Sequence, residues 1–165
     1  MLLFFFFFFY CSGAPRDLPS SPTRRSSDLT RQLLSNHFLT VFRKYEQAYN
    51  RRDRAQMSIL QKDMMGIIND VDRIVATQEF FLVGKWIKDA RSWGGDSLRE
   101  ARYYEQNARN LITTWSDKDQ LLNDYASRTW AGLTKTFYGE RWRMFFDHVN
   151  KALDEGKAFD EDHFS

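Results

Sequence analysis

Apolar residues recur at steps of three and four along most of this chain, and the pattern predicts helices. The first such segment places these residues on one face: Leu34, Phe38, Val41, Tyr45 and Ala48. That spacing matches the 3.6-residue period of an α-helix with one buried side. From Thr30 to Ser165 the sequence contains no proline, which permits long helices.

A second segment repeats the pattern after a short polar connection, Arg51–Asp53. Asp53 is the predicted N-cap, because a carboxylate accepts hydrogen bonds from the free N–H groups of a first helical turn. The predicted inward face consists of Met57, Leu60, Met64, Ile67, Val71 and Ile74. These two segments together predict a pair of amphipathic helices.

Two further helices are predicted on either side of a diglycine. The third segment runs from Glu79 to Ser92 and ends at Gly94 and Gly95, since glycine readily takes the left-handed conformation that follows a helix. Ser97 then caps the fourth helix as the first residue of a capping box. The predicted inward residues are Phe80, Val83, Ile87 and Ala90, then Leu98, Ala101, Tyr104, Ala108, Leu111 and Trp115.

The pattern fails over residues 116–123, where polar residues predict a loop. Asp124 is the predicted cap of a fifth helix that carries Trp130, Leu133 and Phe137, and Gly139 predicts a break. A sixth helix is expected to follow, with Trp142, Phe145, Val149 and Leu153 inward, and to end at Gly156. The predicted fold class is therefore all-α, a bundle of about five to six helices.

The first 29 residues differ in kind from the rest of the chain. An apolar run, Phe4–Phe9 with its neighbours, ends at Cys11 and is too short to span a membrane. Pro22–Leu29 resembles the conceptual translation of a sequencing-adapter oligonucleotide. We interpret residues 1–29 as a leader foreign to the fold and residues 30–165 as the helical domain; a genuine export signal is the alternative.

Composition excludes several classes of function. The net charge is +2, from 24 basic and 22 acidic residues, which does not indicate a nucleic-acid groove or an anionic membrane surface. A single cysteine excludes a disulfide framework, and the three histidines lack the spacing of metal ligands. No phosphate-binding glycine loop or nucleophile motif is present, so no metal, cofactor or membrane span is predicted. The residues alone indicate a helical domain rich in aromatic side chains.

Several short motifs resemble the carboxy-terminal region of glycoside hydrolase family 89, the alpha-N-acetylglucosaminidases. In chain order they are Thr30–Leu34, Glu79–Ile87, Asp89–Arg91, Tyr104–Trp115, Asp124–Ala126, Trp130–Leu133 and Phe137–Trp142. Both their order and their spacing agree with that region, from about residue 30 to the end. The loop over residues 116–123 varies within the family, so the alignment across it is open.

The resemblance implies a three-part enzyme in which an upstream barrel carries two catalytic glutamates. It implies hydrolysis of terminal alpha-linked N-acetylglucosamine with retention, through a covalent glycosyl intermediate. No catalytic residue is then expected in this chain, which alone is predicted to be inactive and to have the barrel as its partner. Members of the family act outside the cytoplasm or in lysosomes, so an extracytoplasmic location is implied.

The resemblance also implies a role for three side chains. The family contributes a tryptophan and a tyrosine from this region to the wall of the sugar pocket, and these match Trp115 and Tyr125. An aliphatic loop residue also approaches the sugar, and its nearest match is Leu122. Aromatic faces pack on the C–H face of a pyranose, while indole N–H and phenol O–H groups bind its polar substituents.

Other readings of the same residues remain open. A tryptophan that ends an apolar stripe, as Trp115 does, is also typical of a helix core. The remaining tryptophans are interpreted as core or domain-interface residues, and Arg109 and Arg141 as ion-pair anchors. The alternative to a glycosidase part is a stand-alone helical interaction module without catalysis, in which every aromatic is structural.

Overall fold

The computed structural model describes residues 22–115 and 126–160, and within them the fold is all-α, as predicted. The five α-helices are α1 (Pro22–Asn50), α2 (Arg54–Val75), α3 (Val83–Ser92), α4 (Leu98–Ile112) and α5 (Gly139–Asp154). A 3₁₀ turn, Glu79–Phe81, precedes α3, and a π-helical turn, Thr134–Tyr138, leads into α5. None of the described helices is long and apolar enough to cross a bilayer.

Helices α1, α2 and α5 pack into a bundle around an aromatic core. The predicted stripes of α1 and α2 are buried, with Phe38, Met64 and Val71 each at most 2% exposed. The exceptions are Leu34 and Ile74, which are partly buried. From α5, the ring of Trp142 contacts Phe38 with centroids 5.0 Å apart. Such edge-to-face pairs add roughly 0.5–1.5 kcal/mol beyond the burial of their area. The bundle is thus the stable platform of the molecule.

Helix α1 begins at Pro22 and not at Thr30, where the predicted domain starts. Proline is tolerated in a first helical turn because its missing N–H would have no partner there. The hydroxyl of Thr30 donates to the carbonyl of Ser26 at 2.8 Å, so the helix is continuous across the predicted boundary. Residue 29 is therefore not the end of an element, and the interpretation of residues 1–29 as foreign stays a prediction.

Helices α3 and α4 form a hairpin beside the bundle, and here the predicted faces are partly wrong. Leu98 and Leu111 are 59% and 43% exposed, whereas Ala101, Ala108 and Ile112 are buried. The small side chains face the neighbour because the two helices approach closely. At the turn, a Cβ on Gly94 would lie 2.3 Å from the backbone nitrogen of Ala101, so only glycine fits there.

Two of the predicted helix caps, Asp53 and Ser97, are confirmed, and the third, Asp124, lies outside the described residues. The carboxylate of Asp53 accepts from the N–H of Gln56 at 3.0 Å, and the hydroxyl of Ser97 accepts from that of Glu100 at 3.3 Å. Gly95 and Gly156 have φ of 52° and 70°, the left-handed conformation expected after a helix. Local sequence therefore dictates these helix ends.

The expectation for residues 124–139 is wrong within the described part. Residues 126–132 are irregular instead of helical, and the chain then passes without a break from the π-helical turn into α5. Gly139 has a helical φ of −59° and is buried, and a Cβ placed on it would make an ordinary contact, 3.7 Å from the Cγ2 of Ile68. The glycine therefore continues the helix, and sequence periodicity cannot distinguish such a glycine from one that breaks a helix.

The start of the third segment also differs, because α3 begins at Val83 and is preceded by an extended residue, Leu82. Leu82 forms an isolated parallel β-bridge with Ala131. In it, the N–H of Ala131 donates to the Phe81 carbonyl at 2.7 Å, and the N–H of Val83 donates to the Ala131 carbonyl at 3.2 Å. This bridge ties the irregular segment 126–132 to the start of the hairpin.

Candidate functional site

Trp115 lies just beyond the end of α4 in an unusual backbone conformation. Its φ is +63°, a region that residues other than glycine rarely adopt. Its N–H donates to the carbonyl of Asn110 at 2.7 Å, which closes the chain over the last turn of the helix. The residue is 36% exposed. The predicted site residue is therefore held at a helix end with much of its surface open to solvent, not buried in the core.

The other two predicted wall residues, Leu122 and Tyr125, lie outside the described residues. Their roles stay predictions. What the structure gives is the chain on either side of them, ending at Trp115 and resuming at Ala126. The structure shows how these two flanks are held.

Trp86 on α3 contacts both flanks. Its indole N–H donates to the Ala108 carbonyl on α4 at 3.0 Å. Its ring meets that of Trp130, beyond the second flank, with centroids 5.7 Å apart and planes at 61°. The guanidinium of Arg128 lies 5.9 Å from the centroid of the same Trp130 ring. Sequence reasoning interpreted Trp86 and Trp130 as core or interface residues. Trp86 differs from the other tryptophans by its hydrogen bond across the hairpin, which no sequence pattern predicts.

Asp72 on α2 fixes the second flank from the other side. One carboxylate oxygen accepts from the N–H of Gly132 at 2.7 Å and from that of Lys135 at 3.1 Å. A carboxylate at the start of a helix satisfies free N–H groups and complements the positive end of the helix dipole. Sequence analysis missed Asp72 because it reads as an ordinary residue of a polar helix face, and its partners are about 60 residues away.

Gly132 fits this position for steric reasons. Its φ is +88°, and a Cβ there would lie 2.7 Å from a methyl group of Val83. A larger residue would be strained both in its backbone and in its contact with α3. The backbone near Gly132 therefore packs closely against both α2 and α3.

An ion-pair cluster joins the two helices of the hairpin. Glu105 on α4 accepts from Arg109 at 2.7 Å and also pairs with Arg91 on α3. Hydrogen bonds from Arg109 and then from Arg91 lower the pKa of the Glu105 carboxyl. The interpretation of Arg109 as an ion-pair anchor is confirmed. Arg141 has its guanidinium 5.7 Å from the ring centroid of Phe137.

Neighbouring cations lower the pKa of two described carboxyl groups, Glu105 and Glu155. A glycosidase acid needs the opposite shift, so that it holds a proton near neutral pH. Among the described residues, no group of three or more His, Cys, Asp or Glu side chains could hold a metal ion.

A small apolar cleft lies elsewhere, between α1 and α5. Its lining includes Phe42, Tyr45 and Phe145, with Phe159 from the tail, but neither Trp115 nor Trp86. The N–H of Phe159 donates to the Tyr49 hydroxyl at 3.0 Å, which holds the tail over the cleft. Glu46 also lines this cleft, but the open surface of the cleft is apolar, unlike a site in which several polar groups converge to orient a sugar.

Comparison with known families gives a match over most of the chain. The family described as "Alpha-N-acetylglucosaminidase (NAGLU) C-terminal domain" matches residues 26–165. The human protein named alpha-N-acetylglucosaminidase is 30% identical over 168 residues, covering 98% of this chain and 22% of the human protein. The chain thus spans about a fifth of the length of this relative.

Solved structures give the same result. A family 89 glycoside hydrolase from Clostridium perfringens in complex with PUGNAc is similar with a TM-score of 0.78 and 32% identity, over 86% of this chain and 17% of that one. The Clostridium perfringens enzyme in complex with its substrate GlcNAc-alpha-1,4-galactose gives a TM-score of 0.78 and 30% identity, over 84% of this chain and 16% of that one. Both the sequence and the helical arrangement therefore match one part of a much longer protein.

Proposed function

Because the chain belongs to the alpha-N-acetylglucosaminidase C-terminal domain family, we propose that it forms part of the sugar pocket of a retaining glycosidase that releases terminal alpha-linked N-acetylglucosamine. The catalytic glutamate pair lies in an upstream part of the enzyme. This chain contributes one wall of the pocket and no reacting group.

The observation that carries the proposal is the state of Trp115. Trp115 matches a family motif, and in the structure it is 36% exposed and has a left-handed backbone conformation. Such a conformation costs of order 1–3 kcal/mol and is found preferentially at functional sites. A tryptophan used only for packing would gain more from burial in the adjacent core. An exposed, fixed indole suits the C–H face of a pyranose ring.

Tyr125 and Leu122 complete the proposed wall. The phenol would bind a hydroxyl or the acetamido carbonyl of the sugar, and the leucine would contact an apolar edge. Both follow Trp115 within ten residues. The sugar in question is a terminal alpha-linked N-acetylglucosamine, the residue shown in the substrate complex of the bacterial relative.

The proposed partner is the upstream catalytic barrel domain of the same enzyme. Exposed apolar side chains on the α3–α4 hairpin support this proposal, since large exposed apolar patches mark interaction surfaces. They are Phe80, Trp86, Trp93, Leu98, Tyr103, Leu111 and Trp115, each at least 36% exposed. An extracytoplasmic location, as in the family, belongs to the same proposal.

A graft tests the proposal directly. Residues 26–165 would replace the matched segment of the Clostridium perfringens relative, and hydrolysis of an aryl alpha-N-acetylglucosaminide would be measured. We expect the graft to be active, and Trp115→Ala to lower kcat/KM by at least about tenfold. Met144→Ala, which removes an exposed apolar side chain on α5, is the control.

Three results would contradict the proposal. A folded graft without activity would exclude a working pocket wall, and an active graft insensitive to Trp115→Ala would exclude the role of that residue. Turnover by this chain alone would place a catalytic pair within it. A chain that is monodisperse alone, with an inactive graft, would support the alternative of a stand-alone helical module.

A further inference from the structure

The α3–α4 hairpin has few points of attachment to the bundle. From α4, Ile112 joins the buried core that is otherwise formed by α1, α2, α5 and the turn that precedes α5. From α3, the partly buried Val83 packs against the same core. Ile112 fixes the position of the end of α4, and contacts between α3 and α4, among them the Arg91–Glu105 ion pair, set the direction in which the chain leaves α4 toward Trp115.

Trp86 provides such a contact close to the end of α4. Its indole N–H reaches the Ala108 carbonyl, one turn before Ile112, at 3.0 Å. A carbonyl oxygen has two lone pairs, so Ala108 can accept this bond together with its helical one. Trp86 lies in the first turn of α3 and is 37% exposed, so hydrophobic burial alone does not account for its placement.

On its other side, Trp86 contacts a segment whose position is fixed by several hydrogen bonds. Its ring contacts Trp130 with centroids 5.7 Å apart. The backbone beyond Trp130 is held by the β-bridge of Ala131 to α3 and by the two hydrogen bonds to Asp72. One side chain therefore connects α4 to a segment that is anchored independently to α2.

From this geometry we infer that Trp86 is a positioning residue of the proposed sugar pocket. It holds the end of α4 at a set distance and angle from Trp130, and it thereby presents Trp115 to the sugar. The inference rests on the proposed function for its consequence, but the contact itself can be tested without any sugar. Trp86 need not touch the substrate to perform this role.

Hydrogen–deuterium exchange on the whole chain tests the contact. Trp86→Phe keeps a ring against Trp130 and removes the N–H donor. We expect backbone amides of residues 104–115 to exchange about fivefold faster, with those of α1, α2 and α5 unchanged. Trp93→Phe is the matched control, because it makes the same substitution at the far end of α3, on a residue 74% exposed.

Two outcomes would overturn the inference. Equal exchange in both variants would show that the hydrogen bond does not hold α4, and faster exchange in every helix would show a general loss of stability. Asp72→Asn provides a second variant if Trp86→Phe folds poorly. This substitution weakens the hydrogen bonds that hold the backbone around Gly132, so it should accelerate amide exchange over residues 126–135. Asp70→Asn, at an exposed position of the same helix, should not.

Kinetics in the graft separates this inference from the proposed function. A residue that only orients a binding wall should change KM more than kcat, so we expect Trp86→Phe to raise KM about fivefold and to leave kcat within about twofold. An active graft with unchanged KM would overturn the positioning role. An inactive graft with the expected exchange pattern would instead reject the proposed function and leave the contact established.

Discussion

Trp115 combines exposure with a backbone conformation that favours glycine. Its φ of +63° places Cβ close to backbone atoms, a strain that surrounding contacts must offset. Here the offset includes the hydrogen bond from its N–H to Asn110. Stability alone would select glycine at this position, so the tryptophan is best explained by what its side chain does.

Comparing alanine with glycine at residue 115 isolates the strain. Alanine is usually the more stabilising of the two, because glycine gives the unfolded chain more freedom. At this φ we expect the reverse order, with Trp115→Gly more stable than Trp115→Ala by up to about 1 kcal/mol. Urea unfolding of the two variants measures the difference. A more stable alanine variant would show that the left-handed conformation is not kept in solution.

Tyr45 predicts an alkaline limit to stability. Burial in the bundle raises the pKa of its phenol from 10.0 to about 12. Below pH 10.0 the phenol is neutral in both states; between 10.0 and about 12 only the unfolded chain ionises, so stability falls as pH rises through this window. Tyr45→Phe should make unfolding less sensitive to pH there, as measured by urea midpoints.

Tyr103→Phe is the control for that experiment. Tyr103 is 61% exposed, so the same substitution there removes a hydroxyl that folding does not bury. Equal alkaline profiles for both variants would mean that Tyr45 is not the group responsible.

Among the elements, the α3–α4 hairpin depends most on charge. Glu105 accepts hydrogen bonds from Arg109 on its own helix and from Arg91 on the neighbouring one. Exposed ion pairs of this kind contribute little individually, but a shared carboxylate couples two helices that bury few large side chains against each other. The hairpin should therefore lose stability in acid, as Glu105 becomes protonated.

Glu105→Gln tests this dependence. The pKa of Glu105 is lowered, so its contribution is present above the ordinary value of 4.5 and is lost as pH falls through the folded-state pKa. We expect the variant to melt about 2 °C lower than the parent at neutral pH and at the same temperature in strong acid. Glu46→Gln on α1 is the control; a constant difference at all pH values would argue against the ion pairs.

At the scale of elements, the sequence predicted the bundle better than the hairpin. The stripes of α1 and α2 are long, and their apolar residues are large, so one face is unambiguous. In α4 the buried positions include Ala101 and Ala108, while Leu98 and Leu111 face solvent. Hydrophobicity ranks leucine above alanine, but close helix approach favours the smaller residue. Asp72 caps the start of the π-helical turn that leads into α5, and no local pattern could indicate this contact.

The whole molecule has an uneven surface. Among the described residues, seven of the eleven exposed large hydrophobic side chains fall between Phe80 and Trp115, on or next to the hairpin. Scattered apolar residues are normal on soluble proteins, but this concentration indicates a surface made to be covered. The family resemblance predicts a barrel as partner and so implies a surface that the barrel covers. The location of that surface required the structure, because it depends on which face of each short helix is turned outward.

Dye binding measures this property of the isolated chain. We expect it to bind an environment-sensitive hydrophobic dye, and the double variant Phe80→Ser/Trp93→Ser to reduce the fluorescence by about half without lowering the melting temperature. Both residues are more than two-thirds exposed, so their loss should not disturb the core. Ile59→Ser, an exposed residue of α2, should have little effect. Equal reductions in dye fluorescence for the hairpin variant and for Ile59→Ser would indicate that the dye does not prefer the hairpin surface.

The bridge between Leu82 and Ala131 also has a consequence for how the chain folds. The α1–α2 and α3–α4 pairs are joined by short connections, so their contacts form locally and rapidly. The bridge joins residues about 50 positions apart, so it must close a long loop against chain entropy before it gains its two hydrogen bonds. We therefore expect the two helical hairpins to form early and the Leu82–Ala131 bridge to form late. Packing of Trp130 against Trp86 would then be one of the last steps of folding.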